Sequence, residues 1–120
     1  MTHMLLMIEP VEQRFSRTEA EGRAVYERMT RWGDGLRERG LLIASESLAS
    51  HAEASRLKVR DGKMQVVDGP FSEAKEMVGG FFLLSCETRE EALEIAAGCP
   101  AAEWATVEVR SLAPCYETKR

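Results

Sequence analysis

The sequence has few cysteines and no long apolar segment. Cys86, Cys99 and Cys115 are widely separated and form no C-x-x-C pair, a pattern that suits neither a zinc site nor a secreted disulfide framework. The apolar run at residues 4–8 ends at Glu9-Pro10, so it is too short for a transmembrane helix or a signal peptide. We therefore predict reduced thiols, no metal site, no membrane association and a cytoplasmic location.

An excess of positive charge is also missing. The 120 residues include 16 Lys and Arg against 20 Asp and Glu, which gives a formal net charge of −4. Because such a chain offers no basic face to a phosphate backbone, we predict no nucleic-acid partner. Hydrophobic residues make up 44% and charged residues 30%, as in ordinary globular proteins, and the length fits a single domain over residues 1–120.

Two T-x-x-E sequences predict the helix starts. Thr18 precedes Glu21 and Thr88 precedes Glu91 by three residues, the capping-box spacing in which both side chains satisfy free backbone N–H groups. Apolar residues recur at spacings of three and four after Thr18, and Gly40 follows the last of them. We predict helices over residues 18–39 and 88–97.

Short apolar or alternating segments predict the strands. They lie at residues 4–8, 41–48, 57–60, 63–66, 78–84 and 106–112. A short helical turn is expected at residues 72–76, with Ser72 as its cap.

The dipeptide Asp61-Gly62 predicts a two-residue hairpin turn between two alternating segments. The turn and the hydrophobic alternation agree on one register, in which the apolar pairs share a face. Three cross-strand pairs are predicted: Leu57 with Val66, Val59 with Met64, and Arg60 with Lys63.

The element order predicts an α+β fold, a ferredoxin-like split β-α-β sandwich with an inserted β-hairpin. Two helices can cover only one face of such a sheet. The strands at residues 4–8 and 78–84 are apolar at consecutive positions, so their uncovered face would expose a large apolar patch. We therefore predict a homodimer in which two helix-free faces meet.

Four linked segments resemble the YCII-related, or DGPF-domain, proteins over nearly the whole chain. These segments are residues 4–9, residues 68–76 with the sequence DGPFSEAKE, residues 79–82 and residues 90–92. The resemblance implies a ferredoxin-like fold assembled into a dimeric α/β barrel. It also implies a pocket in which the wider group carries a histidine and an aspartate. Where its histidine follows an arginine by three residues, this chain has Tyr26 after Arg23.

Six residues are candidates for a site. Asp68 and Tyr26 are the candidate catalytic groups, and Glu9, Ser45, Ser47 and Lys75 are candidate ligand-binding groups. Each also has a structural explanation: Asp68 as a turn residue, Tyr26 as a core-edge residue, and the others as solvated ends of strands or loops. We expect Asp68 to contribute more than Tyr26, no bound cofactor, and surface positions for His3 and His51.

Two functions remain open from the sequence. The first is a small-molecule enzyme or binder, whose dimer holds a modest apolar cavity with a few polar groups and whose reaction is not specified. The second is a non-catalytic regulatory or partner-binding module of a sigma-type regulatory system, a role suggested by the resemblance. An enclosed pocket with two or more convergent ionisable groups would favour the first function. A pocket filled by Phe71 and Trp32 would favour the second.

Overall fold

The computed structural model describes residues 2–117. Over that range the chain forms six strands and two α-helices, joined by turns and short 3-10 segments. In chain order these are β1 (His3–Pro10), α1 (Glu19–Glu38), β2 (Leu42–Ser47), β3 (Ser55–Arg60), β4 (Lys63–Asp68), β5 (Glu76–Leu84), α2 (Arg89–Ala97) and β6 (Thr106–Ser111).

Four strands form an antiparallel sheet in the order β2-β5-β1-β6. The two apolar strands, β1 and β5, occupy its centre, where each pairs with a neighbouring strand on both sides. Leu36 of α1 and Ile95 of α2 pack in one core with Leu5 of β1 and Phe82 of β5, so both helices lie on the same face. This confirms the predicted α+β class with a ferredoxin-like strand order and both helices on one side.

Side-chain caps begin both helices as predicted. The Thr18 hydroxyl accepts a hydrogen bond from the Glu21 N–H at 3.1 Å, and the Glu21 carboxylate accepts one from the Thr18 N–H at 2.8 Å. The hydrogen bond from the Thr18 backbone lowers the pKa of Glu21. Thr88 caps α2 by accepting from the Glu91 N–H at 3.1 Å. Gly40 follows α1 with φ of +72°, the left-handed conformation that commonly ends helices.

The β3–β4 hairpin has the predicted register but an unexpected position. Asp61 and Gly62 both have positive φ, which gives the turn its primed geometry, and Leu57 pairs with Val66 as expected. Every residue of both strands is nevertheless exposed, and the hairpin forms its own two-stranded sheet. The Cα radius of gyration is 16.5 Å. A compact chain of this length has a radius of about 14 Å, so we infer that the hairpin projects from the domain.

Three local predictions are wrong. Residues 72–76 form turns and the start of β5 instead of a helical turn, because β5 already begins at Glu76. His3 is only 2% exposed. It is the first residue of β1, and the alternation of the strand turns its ring inward. Its Nδ1 lies 3.4 Å from the carbonyl oxygen of Cys86. His51 is half-buried, and its Nδ1 accepts from the N–H of Phe71 at 3.4 Å.

Candidate functional site

A half-open cavity of about 480 Å³ lies between α1 and the sheet. Small residues create much of its space, since Gly22 and Gly33 line it from α1 and Gly79 and Gly80 from β5. The larger apolar side chains that line it are Met7, Val25, Met29, Phe82 and Trp104. This volume and this wall suit the apolar body of a small ligand.

A buried ion pair forms one end of the cavity wall. Glu9, at the end of β1, is 9% exposed, and both of its carboxylate oxygens accept hydrogen bonds from Arg14. The Arg14 Nη2–Glu9 Oε1 distance is 2.8 Å and the Nε–Oε2 distance is 3.2 Å, a bidentate geometry. Arg14 also donates to the carbonyl oxygens of Leu48 and Gly79. The pair therefore joins β1, β5 and the end of β2, with both Glu9 oxygens hydrogen-bonded to Arg14.

The adjacent glycines of β5 are required by this packing. A Cβ atom on Gly79 would lie 1.7 Å from Oε1 of Glu9, and one on Gly80 would lie 2.8 Å from the carbonyl oxygen of Glu46. Both positions allow a neighbour to approach the backbone more closely than any side chain permits. The Gly-Gly sequence thus makes room for the ion pair and for β2.

Three more of the predicted residues line the same cavity. Ser45 and Ser47 pair with Phe82 and Gly80 across the β2–β5 ladder, which places their hydroxyls on the helix-covered face. Tyr26 lies on α1 and is 62% exposed, so its phenol is at the rim. With Glu9, the structure therefore brings four of the six candidates to one cavity.

Arg17 also lines the cavity, and the sequence analysis missed it. Its guanidinium lies 5.7 Å from the ring centroid of Trp104, within cation–π range. Among the described residues no carboxylate lies within 4.0 Å of it, whereas the cavity's other arginines, Arg14 and Arg37, pair with Glu9 and Asp34. Its sequence signal was its position directly before the Thr18 cap, which places it at the start of the helix that forms the cavity roof.

Asp68 and Lys75 lie outside the cavity. Asp68 is exposed at the end of β4, where its Oδ1 accepts a hydrogen bond from the Ser55 hydroxyl at 2.6 Å. Lys75 is exposed in the turn before β5, and its backbone carbonyl accepts from the Val11 N–H at 3.0 Å. Neither residue is among those that line the wall described above.

We expect Asp68→Asn to leave ligand affinity unchanged and to change the free energy of unfolding by less than about 1 kcal/mol. Asparagine keeps the acceptor that bonds Ser55, and position 68 is remote from the cavity. Urea denaturation and ligand titration of this variant beside Tyr26→Phe, whose phenol is at the rim, measure both quantities. A tenfold loss of ligand affinity in Asp68→Asn but not in Tyr26→Phe would instead show that Asp68 contributes to ligand binding.

The remaining reactive groups are thiols, and Sγ of Cys86 lies 3.5 Å from Nδ1 of the buried His3. Cys86 and Cys99 are free and buried, and burial raises the pKa of both thiols, so at neutral pH they are protonated. Cys115 is free and exposed. Within residues 2–117 no three His, Cys, Asp or Glu side chains are grouped for a metal ion, and no helix is long and apolar enough to cross a membrane.

Comparison with known sequences identifies the family. A sequence profile of the YCII-related domain matches residues 1–115. The chain belongs to the YCII-related family. An uncharacterised protein of Rhizobium meliloti (strain 1021) is 38% identical to this YCII-related chain over 78 residues, which span 63% of this chain and 63% of the relative. The resemblance stated from the sequence is thereby confirmed.

The DGPF motif of this YCII-related chain is a closely packed turn. Gly69 donates its N–H to the carbonyl oxygen of Ala54 at 2.7 Å, and a Cβ atom there would lie 1.8 Å from the carbonyl oxygen of His51. Phe71 is buried, and the guanidinium of Arg56 covers its ring at 3.8 Å. These contacts give the motif a structural role at the base of the hairpin.

Proposed function

We propose that this YCII-related protein binds a small molecule with an apolar body and an acidic group in the cavity under α1. The observation that carries the proposal is a cavity of about 480 Å³ that combines an apolar wall with Arg17, a cation that has no carboxylate within 4.0 Å among the described residues. An apolar body would contact Met29, Phe82 and Trp104, and an anionic group would pair with Arg17. The hydroxyls of Ser45 and Ser47 offer hydrogen bonds across the cavity.

The cavity is half-open and not enclosed, but its lining supports binding of a small molecule over the regulatory module. Ionisable side chains, among them Glu9, Arg14 and Arg17, converge on the cavity. Phe71 lies elsewhere, and Trp32 packs edge-on against Phe82 at 5.0 Å instead of filling the space. We propose binding alone, and the ion pair with Arg14 gives the Glu9 carboxylate a structural role.

The test is a thermal-shift screen with a metabolite library, since a ligand that binds only the folded chain must raise its apparent stability. We expect small apolar carboxylic acids among the stabilising compounds. Arg17→Gln should raise the dissociation constants of these acids at least about tenfold. The matched control is Arg28→Gln: Arg28 also lies over Trp104, at 5.6 Å, but it pairs with Glu103 and does not line the cavity. An equal loss of ligand affinity in Arg17→Gln and Arg28→Gln would contradict the proposal. A screen in which no acid stabilises the protein would contradict it as well.

We further propose that the protein is a homodimer joined through the helix-free face, as a dimeric α/β barrel. Alternate residues of the central strands point away from the helices, and a single chain leaves them only half-buried. These are Met4, Leu6, Ile8, Phe81 and Leu83. A contiguous apolar surface of this kind supports association with a second sheet. A cytoplasmic location remains part of the proposal.

We expect light scattering at micromolar concentration to give about twice the 13.4 kDa chain mass. Moderate salt should not dissociate an apolar interface of this type. Leu6→Glu should give the monomer, whereas Leu93→Glu, at an exposed position of α2 on the opposite side of the sheet, should remain dimeric. A monomeric mass for the unmodified protein would contradict the proposal whatever the variants do.

A further inference from the structure

We infer that the β3–β4 hairpin, residues 55–68, is an arm that docks on a second copy of this chain. The inference rests on the proposed homodimer and adds to it an interface element outside the sheet. It starts from the exposure of the arm, since five apolar side chains of the hairpin are between 49% and 67% exposed. These are Leu57, Val59, Met64, Val66 and Val67.

The register of the arm separates its side chains into two faces. Leu57 pairs with Val66 and Val59 with Met64, so these four apolar side chains share one face. The alternate positions form the other face, which is mainly basic and also holds Val67, the partner of Arg56. Its cations are Arg56, Lys58, Arg60 and Lys63.

The apolar face of this amphipathic hairpin requires a second surface to bury it. An isolated two-stranded hairpin is marginally stable in water, and one face of this arm is apolar and open to solvent. At its base Arg56 covers the ring of Phe71, which lies outside the arm, and Ser55 bonds Asp68 within the arm. Each six-residue strand is about 20 Å long, close to the width of a four-stranded sheet. The arm is therefore long enough to cross a neighbouring subunit.

Charge favours a second copy of this chain as the surface on which the arm docks. The arm carries four basic residues and two acidic ones, Asp61 and Asp68, for a net charge of +2. Because the whole chain has a net charge of −4, the remainder carries −6 and is electrostatically complementary to the arm. A nucleic acid or another polyanion would match the basic face but leave the apolar face open. A second copy offers both acidic surface and apolar surface, and two-fold symmetry makes the exchange of arms reciprocal.

The test compares two pairs of substitutions that are neighbours in the ladder. Val59→Ser with Met64→Ser removes apolar surface, and Lys58→Ser with Gln65→Ser is the matched control on the basic face. All four residues are exposed in the single chain, so both variants should fold. In sedimentation experiments, we expect the dimer dissociation constant to rise at least about tenfold in the first variant and less than about threefold in the control.

Hydrogen exchange of the unmodified protein provides the second measurement. We expect the amides of β3 and β4 to be protected at high protein concentration and to exchange faster on dilution, because only a second copy makes protection depend on concentration. A monomeric native protein would overturn both the homodimer and the arm. A native dimer that is unaffected by Val59→Ser with Met64→Ser, or whose arm exchanges equally at every concentration, would overturn the arm alone. Protection by added heparin but not by concentration would assign the arm to a polyanion.

Discussion

Gly22→Phe is expected to lower the affinity for a cavity ligand roughly 100-fold, which corresponds to about 2.7 kcal/mol. Gly22 lies in the first turns of α1 and lines the cavity, and a Cβ atom there meets nothing within 4 Å. A phenyl ring at this position would occupy space that the ligand needs. The fold should tolerate the change, because the helix propensity of Phe exceeds that of Gly by roughly a few tenths of a kcal/mol.

Gly35→Phe is the matched control for this prediction. Gly35 lies on the same helix and has equally open space around its Cβ position, but it does not line the cavity. Titration of both variants with the strongest ligand from the thermal-shift screen should show the loss only at position 22. Equal affinity in the two variants would place the ligand outside the cavity, even if the protein binds small molecules.

Arg14→Met is expected to lower the free energy of unfolding by roughly 2–4 kcal/mol. The substitution leaves the buried Glu9 carboxylate without its two hydrogen bonds and removes the donors to Leu48 and Gly79. The cost stays below that of a fully buried pair, because the Arg14 side chain is 30% exposed. Urea denaturation of the free protein measures it.

Two further variants isolate the cause. Arg23→Met breaks an exposed ion pair with Glu19 on α1 and should cost less than about 1 kcal/mol. Adding Glu9→Gln to Arg14→Met should recover part of the loss, because the double variant buries no unpaired charge. If Arg14→Met costs no more than Arg23→Met, the pair does not stabilise the junction of β1, β2 and β5.

Much of the fold could be predicted because its signals are local. Asp61-Gly62 sets the hairpin register through positive φ angles at adjacent residues, whatever the rest of the chain does. Thr18 caps α1 by accepting a hydrogen bond from the backbone N–H of Glu21, only three residues along the chain. The prediction for His3 is wrong because its burial depends on Cys86, a residue 83 positions along the chain.

The site was harder to predict than the fold for the same reason. Glu9, Tyr26, Ser45 and Ser47 were chosen for their chemistry and their positions on elements, and the ferredoxin-like strand order brings them to one cavity. Asp68 has equally suitable chemistry but lies at the base of the arm. Arg17 stands out only after the salt bridges of the other arginines are known.

The order and type of the strands and α-helices, the caps of the helices and the hairpin register follow from the sequence alone, because each depends on residues a few positions apart. The contact of Arg14 with Glu9, beside a glycine of β5, depends on tertiary structure, since it needs β1 and β5 side by side. The exposed position of the amphipathic hairpin depends on tertiary structure as well. Hydrophobic alternation specifies which side chains share a face, but the covering surface of that face depends on long-range packing.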